Sequence, residues 1–104
     1  MGANMQKLMK QAQKMQRDME RLQQEAAEKT VEATAGGGAV VAVADGAQNL
    51  RSIKINPDAV DLDDIEMLED MVLAACNEAL KKSQEMMASE MGKLTGGMNI
   101  PGLF

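Results

Sequence analysis

The sequence has no histidine, tyrosine or tryptophan, and its single aromatic residue is Phe104. Without histidine, the chain has no imidazole to transfer protons near neutral pH or to bind a metal. Its single cysteine, Cys76, excludes both an intrachain disulfide and a CxxC motif. No apolar run approaches the ~20 residues of a membrane-spanning helix, and no signal-peptide pattern opens the chain. We therefore predict a soluble, intracellular protein without a membrane segment. Since no residue pair qualifies as nucleophile and base, we also predict that it is not an enzyme.

Length and composition are those of an ordinary globular domain. The chain has 104 residues (11.2 kDa), of which 45% are hydrophobic and 26% charged, and its net charge is −5. That length suits one domain with one modest core. Gly92 is expected to end the last helical segment, and further glycines follow it. We therefore predict a single domain over residues 1–92 and a flexible C-terminal tail over residues 93–104.

The first segment is predicted to be a long helix. Residues 5–28 contain no glycine or proline and are rich in residues that favour helices. Apolar residues recur there at alternating steps of three and four, which places them in one stripe along the helix. This apolar seam consists of Met5, Leu8, Ala12, Met15, Met19, Leu22 and Ala26. Because only Met9 and Ala27 widen it, the apolar seam suits packing against another helix better than packing against a sheet.

The middle of the chain changes to the two-residue period of β-strands. Residues 30–35 alternate, residues 39–44 are apolar on both faces, and residues 49–55 largely alternate. Gly36-Gly37-Gly38 and Asp45-Gly46 separate these runs and are typical of tight turns. Three short antiparallel strands in a meander are the simplest arrangement.

The last segment is predicted to be a second helix. Asp63 and Glu66 have the spacing of a capping box, with Asp63 as the N-cap. The apolar residues that follow form a wide face of the kind that covers a sheet, and Cys76 is predicted to be a buried structural thiol on it. They are Leu68, Val72, Ala75, Cys76, Ala79, Leu80 and Met87. The order is therefore α-β-β-β-α, an α+β fold with a three-stranded antiparallel sheet and long N- and C-terminal helices.

The length of the first helix predicts self-association. At ~1.5 Å per residue it extends ~36 Å, whereas a compact domain of this size has a radius of gyration of ~13 Å. Such a helix overhangs its own domain, and its apolar seam needs a partner from a second copy. We predict a homodimer.

A line of cations runs along the other side of the first helix. Its residues also recur at steps of three and four, ~150° from the apolar seam. This basic stripe consists of Lys7, Lys10, Lys14, Arg17 and Arg21. Residues 1–24 carry a net charge of +3 and the rest of the chain −8. The basic stripe has three interpretations: a solvated face, a surface for the phosphates of nucleic acid, or a surface for an acidic protein.

Two functional hypotheses follow from this helix. If the partner is nucleic acid, the lack of aromatic side chains disfavours stacking on single-stranded bases. A duplex bound through its phosphates, with little reading of base edges, is then expected. The methionine-lined apolar seam supports the alternative, a protein–protein interaction adaptor that packs against several partners.

Two further motifs resemble ligand sites but lack the residues that such sites need. Gly36-Gly37-Gly38 is followed by neither a Lys-Ser/Thr pair nor a helix N-terminus, so it does not match a phosphate loop. Residues 58–69 have the length of a calcium loop, but Val60 and Leu62 occupy ligand positions. We therefore predict no cofactor, no metal site and no small-molecule substrate.

Five segments, taken together and in order, carry a resemblance to a known family. They are residues 8–16, 31–38, 53–55, 67–70 and 74–80. With them the chain resembles the YbaB/EbfC family of bacterial nucleoid-associated proteins from about residue 5 to residue 93, and residues 101–104 also look like the family.

The resemblance implies a tweezer-shaped homodimer with a central sheet and protruding helices. It also implies binding of duplex DNA in the cytoplasm, at the nucleoid, and a role in nucleoid organisation and gene regulation. The family's DNA contacts are ascribed to its terminal helices. Carried over to this sequence, those contacts are expected at Lys7, Lys10, Lys14, Arg17 and Arg21, and also at Lys81 and Lys82.

Overall fold

The computed structural model describes residues 2–97, which form two long helices and a three-stranded sheet. Helix α1 spans Gly2–Glu28, strands β1, β2 and β3 span Thr30–Ala35, Val40–Asp45 and Leu50–Ile55, a short 3-10 turn spans Pro57–Ala59, and helix α2 spans Ile65–Gly97. The predicted α-β-β-β-α order is confirmed. Each strand begins and ends within one residue of its predicted bounds.

Strand β2 lies at the centre of the sheet and pairs antiparallel with both neighbours. In this register Ala33 on β1 lies opposite Ala42, and Ala42 lies opposite Ile53 on β3. The three glycines at positions 36–38 all have positive φ, from 64° to 96°. They turn the chain from β1 to β2 without the steric cost that a Cβ would bring, so the predicted glycine turn is confirmed.

Helix α2 packs on one face of the sheet, and the core between them is built from small side chains. The buried core residues are Ala33, Val40, Ala42, Ala44, Ala75 and Ala79. Among the described residues, the largest fully buried side chains are Val40, Asp45 and Ser83. Small residues let α2 approach the sheet closely, but they bury little apolar area and therefore contribute little hydrophobic stabilisation.

Helix α2 begins one residue later than the predicted cap implies. Asp64 precedes the helix, and its Oδ1 accepts the backbone N–H of Met67 at 3.2 Å. Asp63 belongs to the preceding turn, where its own N–H donates to Oδ1 of Asp61 at 2.9 Å. The prediction of Asp63 as N-cap is therefore wrong, because either of two adjacent aspartates can cap a helix and sequence spacing does not choose between them.

The end of α2 also differs from the prediction. The helix continues through Gly92 to Gly97, so residues 93–97 of the predicted tail are helical, and residues 98–104 lie outside the described residues. A glycine inside a helix costs ~1 kcal/mol relative to alanine, which a helix of 33 residues can absorb. Gly92 also lacks the positive φ with which a glycine ends a helix.

Helix α1 projects from the sheet instead of covering it. The molecule measures 77 × 24 × 15 Å, and its radius of gyration is 21.0 Å, against ~13 Å for a compact chain of this length. Every side chain from Asn4 to Arg17 is exposed, whereas Ala26 near the end of the helix is buried. The structure therefore has the overhang that the length of the helix predicts.

Candidate nucleic-acid interface

The basic stripe lies mostly on the projecting part of α1. With ~100° between successive side chains, helix geometry puts its five members in one line. All of them are exposed, namely Lys7, Lys10, Lys14, Arg17 and Arg21. The line is ~21 Å long at ~1.5 Å per residue. One accessible face thus carries all five cations that the sequence pattern placed together.

Neighbouring carboxylates leave most of the basic stripe unmasked. Arg21 lies 3.9 Å from Asp18 Oδ1 and 3.9 Å from Glu25 Oε1, and its side chain is still 64% exposed. None of the ion pairs among the described side chains involves the other four members. Exposed ion pairs contribute roughly 0–1 kcal/mol, so a phosphate group can compete with those of Arg21.

The apolar seam, on the opposite side of α1, is covered only near the sheet. Ala26 is buried there and Leu22 is half-buried beside α2. Farther out, Met5, Leu8 and Met15 are 65%, 62% and 45% exposed. The outer part of the apolar seam therefore has no partner within the part of the chain that the structure describes.

An ion cluster fixes the base of α1 against α2. Lys29 Nζ donates to Glu90 Oε1 at 2.9 Å, and Lys93 Nζ lies 3.7 Å from the same oxygen. The hydrogen bond from Lys29 lowers the pKa of Glu90, against the opposing effect of burial, and so keeps this carboxylate charged. Sequence reasoning missed the contact because 61 residues separate Lys29 from Glu90 and no local pattern marks either residue.

Gly46, in the turn after β2, packs closely against the end of α1. Its N–H donates to the carbonyl oxygen of Lys29 at 3.0 Å. A Cβ at this position would lie 2.5 Å from the carbonyl oxygen of Ala26 and 3.0 Å from Cα of Ala27. The turn and the end of α1 therefore approach each other more closely than a side chain permits. The sequence indicated a turn here, but not this helix contact.

The two candidate cations on α2 lie apart from the basic stripe. Lys81 and Lys82 are both exposed. Lys82 Nζ donates to the carbonyl oxygen of Glu32 on β1 at 3.1 Å, which places Lys82 beside the sheet. The structure thus lines up the five residues on α1 and does not bring the two on α2 to them.

Cys76 differs from its prediction as a buried thiol. It is half-buried and lies along an open apolar groove with Leu68, Val72 and Leu73. The groove is open because α2 covers β1 and β2 but hardly reaches β3. Among the described residues, no group of three ligating side chains could hold a metal ion, and no helix is long and apolar enough to cross a bilayer.

Comparisons with known proteins identify the family. The chain is 62% identical over 104 residues to a nucleoid-associated protein of Pelotomaculum thermopropionicum, a match that covers 100% of this chain and 99% of that protein. A nucleoid-associated protein of Desulforamulus reducens matches with the same identity and coverage. The crystal structure of HP0035 from Helicobacter pylori shares the fold, with a TM-score of 0.64 and 21% identity over 88% of this chain and 91% of that one. A model of the YbaB/EbfC DNA-binding family matches residues 1–98, and the chain therefore belongs to this family.

Proposed function

We propose that this protein is a homodimer that binds duplex DNA through phosphate contacts made by the basic stripe, with Lys81 and Lys82 as secondary contacts. In this role it contributes to nucleoid organisation and gene regulation in the cytoplasm. The observation that carries the proposal is the exposure of five cations in one line on a helix that projects from the body. Membership of a DNA-binding family supports the choice of partner.

The charge distribution decides which part of the molecule approaches DNA. Residues 1–24 carry a net charge of +3 and the remainder −8. Seven acidic side chains and no basic ones lie between residues 56 and 70, after β3 and therefore at the end of the sheet away from Gly46 and α1. Phosphates attract the projecting helix and repel this acidic end, so contact through α1 is expected.

An uncovered face of the body supports the homodimer. Leu50, Ile53 and Ile55 on β3 pair with buried residues of β2, yet they are 42%, 44% and 40% exposed because α2 hardly reaches β3. Next to them runs the apolar groove on α2. We call this combined surface the open body face, formed by Leu50, Ile53, Ile55, Leu68, Val72, Leu73 and Cys76.

Burial of the open body face against a second copy is more favourable than its exposure to water. A continuous exposed apolar surface is characteristic of an interaction site, and a thin core benefits from the additional burial. If two copies close over this face about a twofold axis, the assembly has two projecting helices and therefore two basic stripes.

Neutralising the basic stripe tests the DNA contact. In the triple variant K10Q/K14Q/R17Q each chain loses three positive charges on exposed positions. Binding of a random duplex should weaken, and the slope of log affinity against log salt should fall by up to ~5 for a dimer, because each lost phosphate contact removes ~0.9 from the slope. Gel shifts at several salt concentrations measure both quantities.

The matched control changes the net charge equally, but elsewhere. A74E/A88E/S89E adds three negative charges per chain at exposed positions of α2 that are at least six residues from Lys81 and Lys82. It should leave the salt slope close to that of the wild type, because no phosphate contact is lost. If K10Q/K14Q/R17Q folds normally and binds duplex with the wild-type affinity and slope, the basic stripe is not the DNA site.

A further inference from the structure

The outer part of the apolar seam is a second apolar surface that the open body face does not include. It runs from Met5 to Met15, ~15 Å along the helix, with Leu8 and Ala12 between them. Its side chains are exposed, as described above, and Met9 beside them is also 61% exposed. The ion cluster at Glu90 and the close contact at Gly46 hold the base of α1, so the helix presents this surface away from the body.

The residues that border the outer seam are uncharged. In a heptad reading these flanking positions are Asn4, Met9, Gln11 and Gln16. Charges at such positions select partners and orientation in helix pairs, and like charges there repel. Within residues 4–16 the only charged side chains are Lys7, Lys10 and Lys14, and they lie on the far side of the helix. A copy of the same helix can therefore pack against the outer seam without charge repulsion. The flanking positions also carry no charges that would select a different protein as the partner.

We propose that the outer seam pairs with the outer seam of another dimer, through helix–helix contacts of the coiled-coil type. A self-complementary patch pairs with its own copy, and a chain with two different patches of this kind builds assemblies larger than a dimer. The contact surface is short, so each pairing is weak, and two arms per dimer strengthen it by avidity.

Such pairing leaves the basic stripe accessible. In a back-to-back pair of α1 helices the cations of the two chains face in opposite directions, because the basic stripe lies ~150° from the seam. One assembly then holds two duplexes, or two distant segments of one duplex, side by side. The pairing of one dimer with another rests on the proposed homodimer, and its consequence for DNA rests also on the proposed DNA contact.

The test compares L8Q/M15Q with the control Q6A/Q13A, in which the substitutions are on the same exposed helix but off the seam. Light scattering from low micromolar to millimolar concentration measures mass without DNA. Wild type and control should rise above the dimer mass, and L8Q/M15Q should remain at it. In a second assay an immobilised duplex captures a labelled duplex. L8Q/M15Q should lose this capture and retain the gel-shift affinity for a single duplex.

Three results would overturn the proposal. One is a wild-type protein that stays a dimer at every concentration, which would mean that something other than a second dimer covers the seam. Another is an L8Q/M15Q variant that associates like the wild type. The third is an L8Q/M15Q variant that becomes monomeric, because the seam would then close the dimer itself. Failure of the proposed function is distinguishable. Without the DNA contact the wild type does not bind a single duplex, and without the homodimer it has the mass of one chain at low micromolar concentration.

Discussion

Asp45 is 1% exposed, yet each oxygen of its carboxylate has at least one donor. Oδ1 accepts the backbone N–H groups of Ala47 and Asn49 at 2.9 and 3.0 Å, and Oδ2 accepts Nε of Arg51 at 2.6 Å. The bond from Arg51 is the main reason that the pKa of Asp45 lies below its ordinary value of 3.8, and the bond from Asn49 comes next. This one side chain thus organises the turn that carries Gly46 to the base of α1.

Asp45→Asn is expected to destabilise the protein at neutral pH and to change its response to acid. A pKa lowered by folding means that the stabilisation is complete above the unfolded pKa and is lost as the pH falls through the folded one. The fall in Tm caused by the substitution should therefore be constant down to about pH 5 and shrink below about pH 4. Thermal unfolding followed by circular dichroism measures it, with Asp58→Asn as the exposed control. An equal Tm difference at neutral and strongly acidic pH would contradict this role.

At the scale of the elements, the periodic features could be predicted from sequence and the non-local ones could not. The three-and-four spacing predicts α1, its apolar seam and its basic stripe, because the geometry of a single helix determines which residues share a face. The residue at which α2 ends depends on backbone conformation at Gly92, and the choice of Asp64 over Asp63 depends on the preceding turn. Lys29, directly after α1, contacts Glu90 on α2 although all three strands lie between them in the sequence, so no local pattern contains this contact.

The basic stripe, too, could be predicted only in part from the sequence. The spacing of the cations predicts that they lie in one line. Their accessibility depends on how far α1 projects from the sheet, and the sequence indicates this only through the length of the helix. The separation of Lys82 from it depends on the sheet, because Lys82 bonds to Glu32 on β1. The open body face was also missed, since exposure of Ile53 results from where α2 crosses the sheet.

Gly46→Ala should weaken the packing of α1 against the turn after β2. The added Cβ would clash with backbone atoms of Ala26 and Ala27, which can move only together with the helix. Overpacking of this kind typically costs ~1–3 kcal/mol. The same substitution at Gly92 should stabilise by ~0.5–1 kcal/mol, because this helical site is exposed and, among the described residues, the added Cβ meets nothing within 4 Å beyond the backbone of its own helix. Urea unfolding measures both free energies. A Gly46→Ala protein as stable as the wild type would show that the turn and α1 are not in close contact.

At the scale of the whole molecule, two apolar surfaces and one cationic line lie on different sides of an elongated chain. The open body face lies on β3 and α2, the outer seam lies on a projecting helix, and the basic stripe faces away from that seam. Because the surfaces do not overlap, dimer formation, DNA contact and association of dimers can each be removed by separate substitutions. The fold therefore makes the three proposed interactions experimentally separable.

Charges placed on the open body face should dissociate the dimer and, through it, weaken DNA binding. Ile53 and Leu73 are exposed in the single chain, so I53E/L73E leaves the core intact but puts carboxylates into the proposed interface. At low micromolar concentration, light scattering should give the 11.2 kDa of one chain instead of twice that mass. Duplex affinity should fall by ~10-fold or more, because two basic stripes no longer act together. Ala74→Glu, at an exposed position of the same helix, should change neither quantity. An I53E/L73E protein that keeps the dimer mass would place the dimer interface elsewhere on the chain.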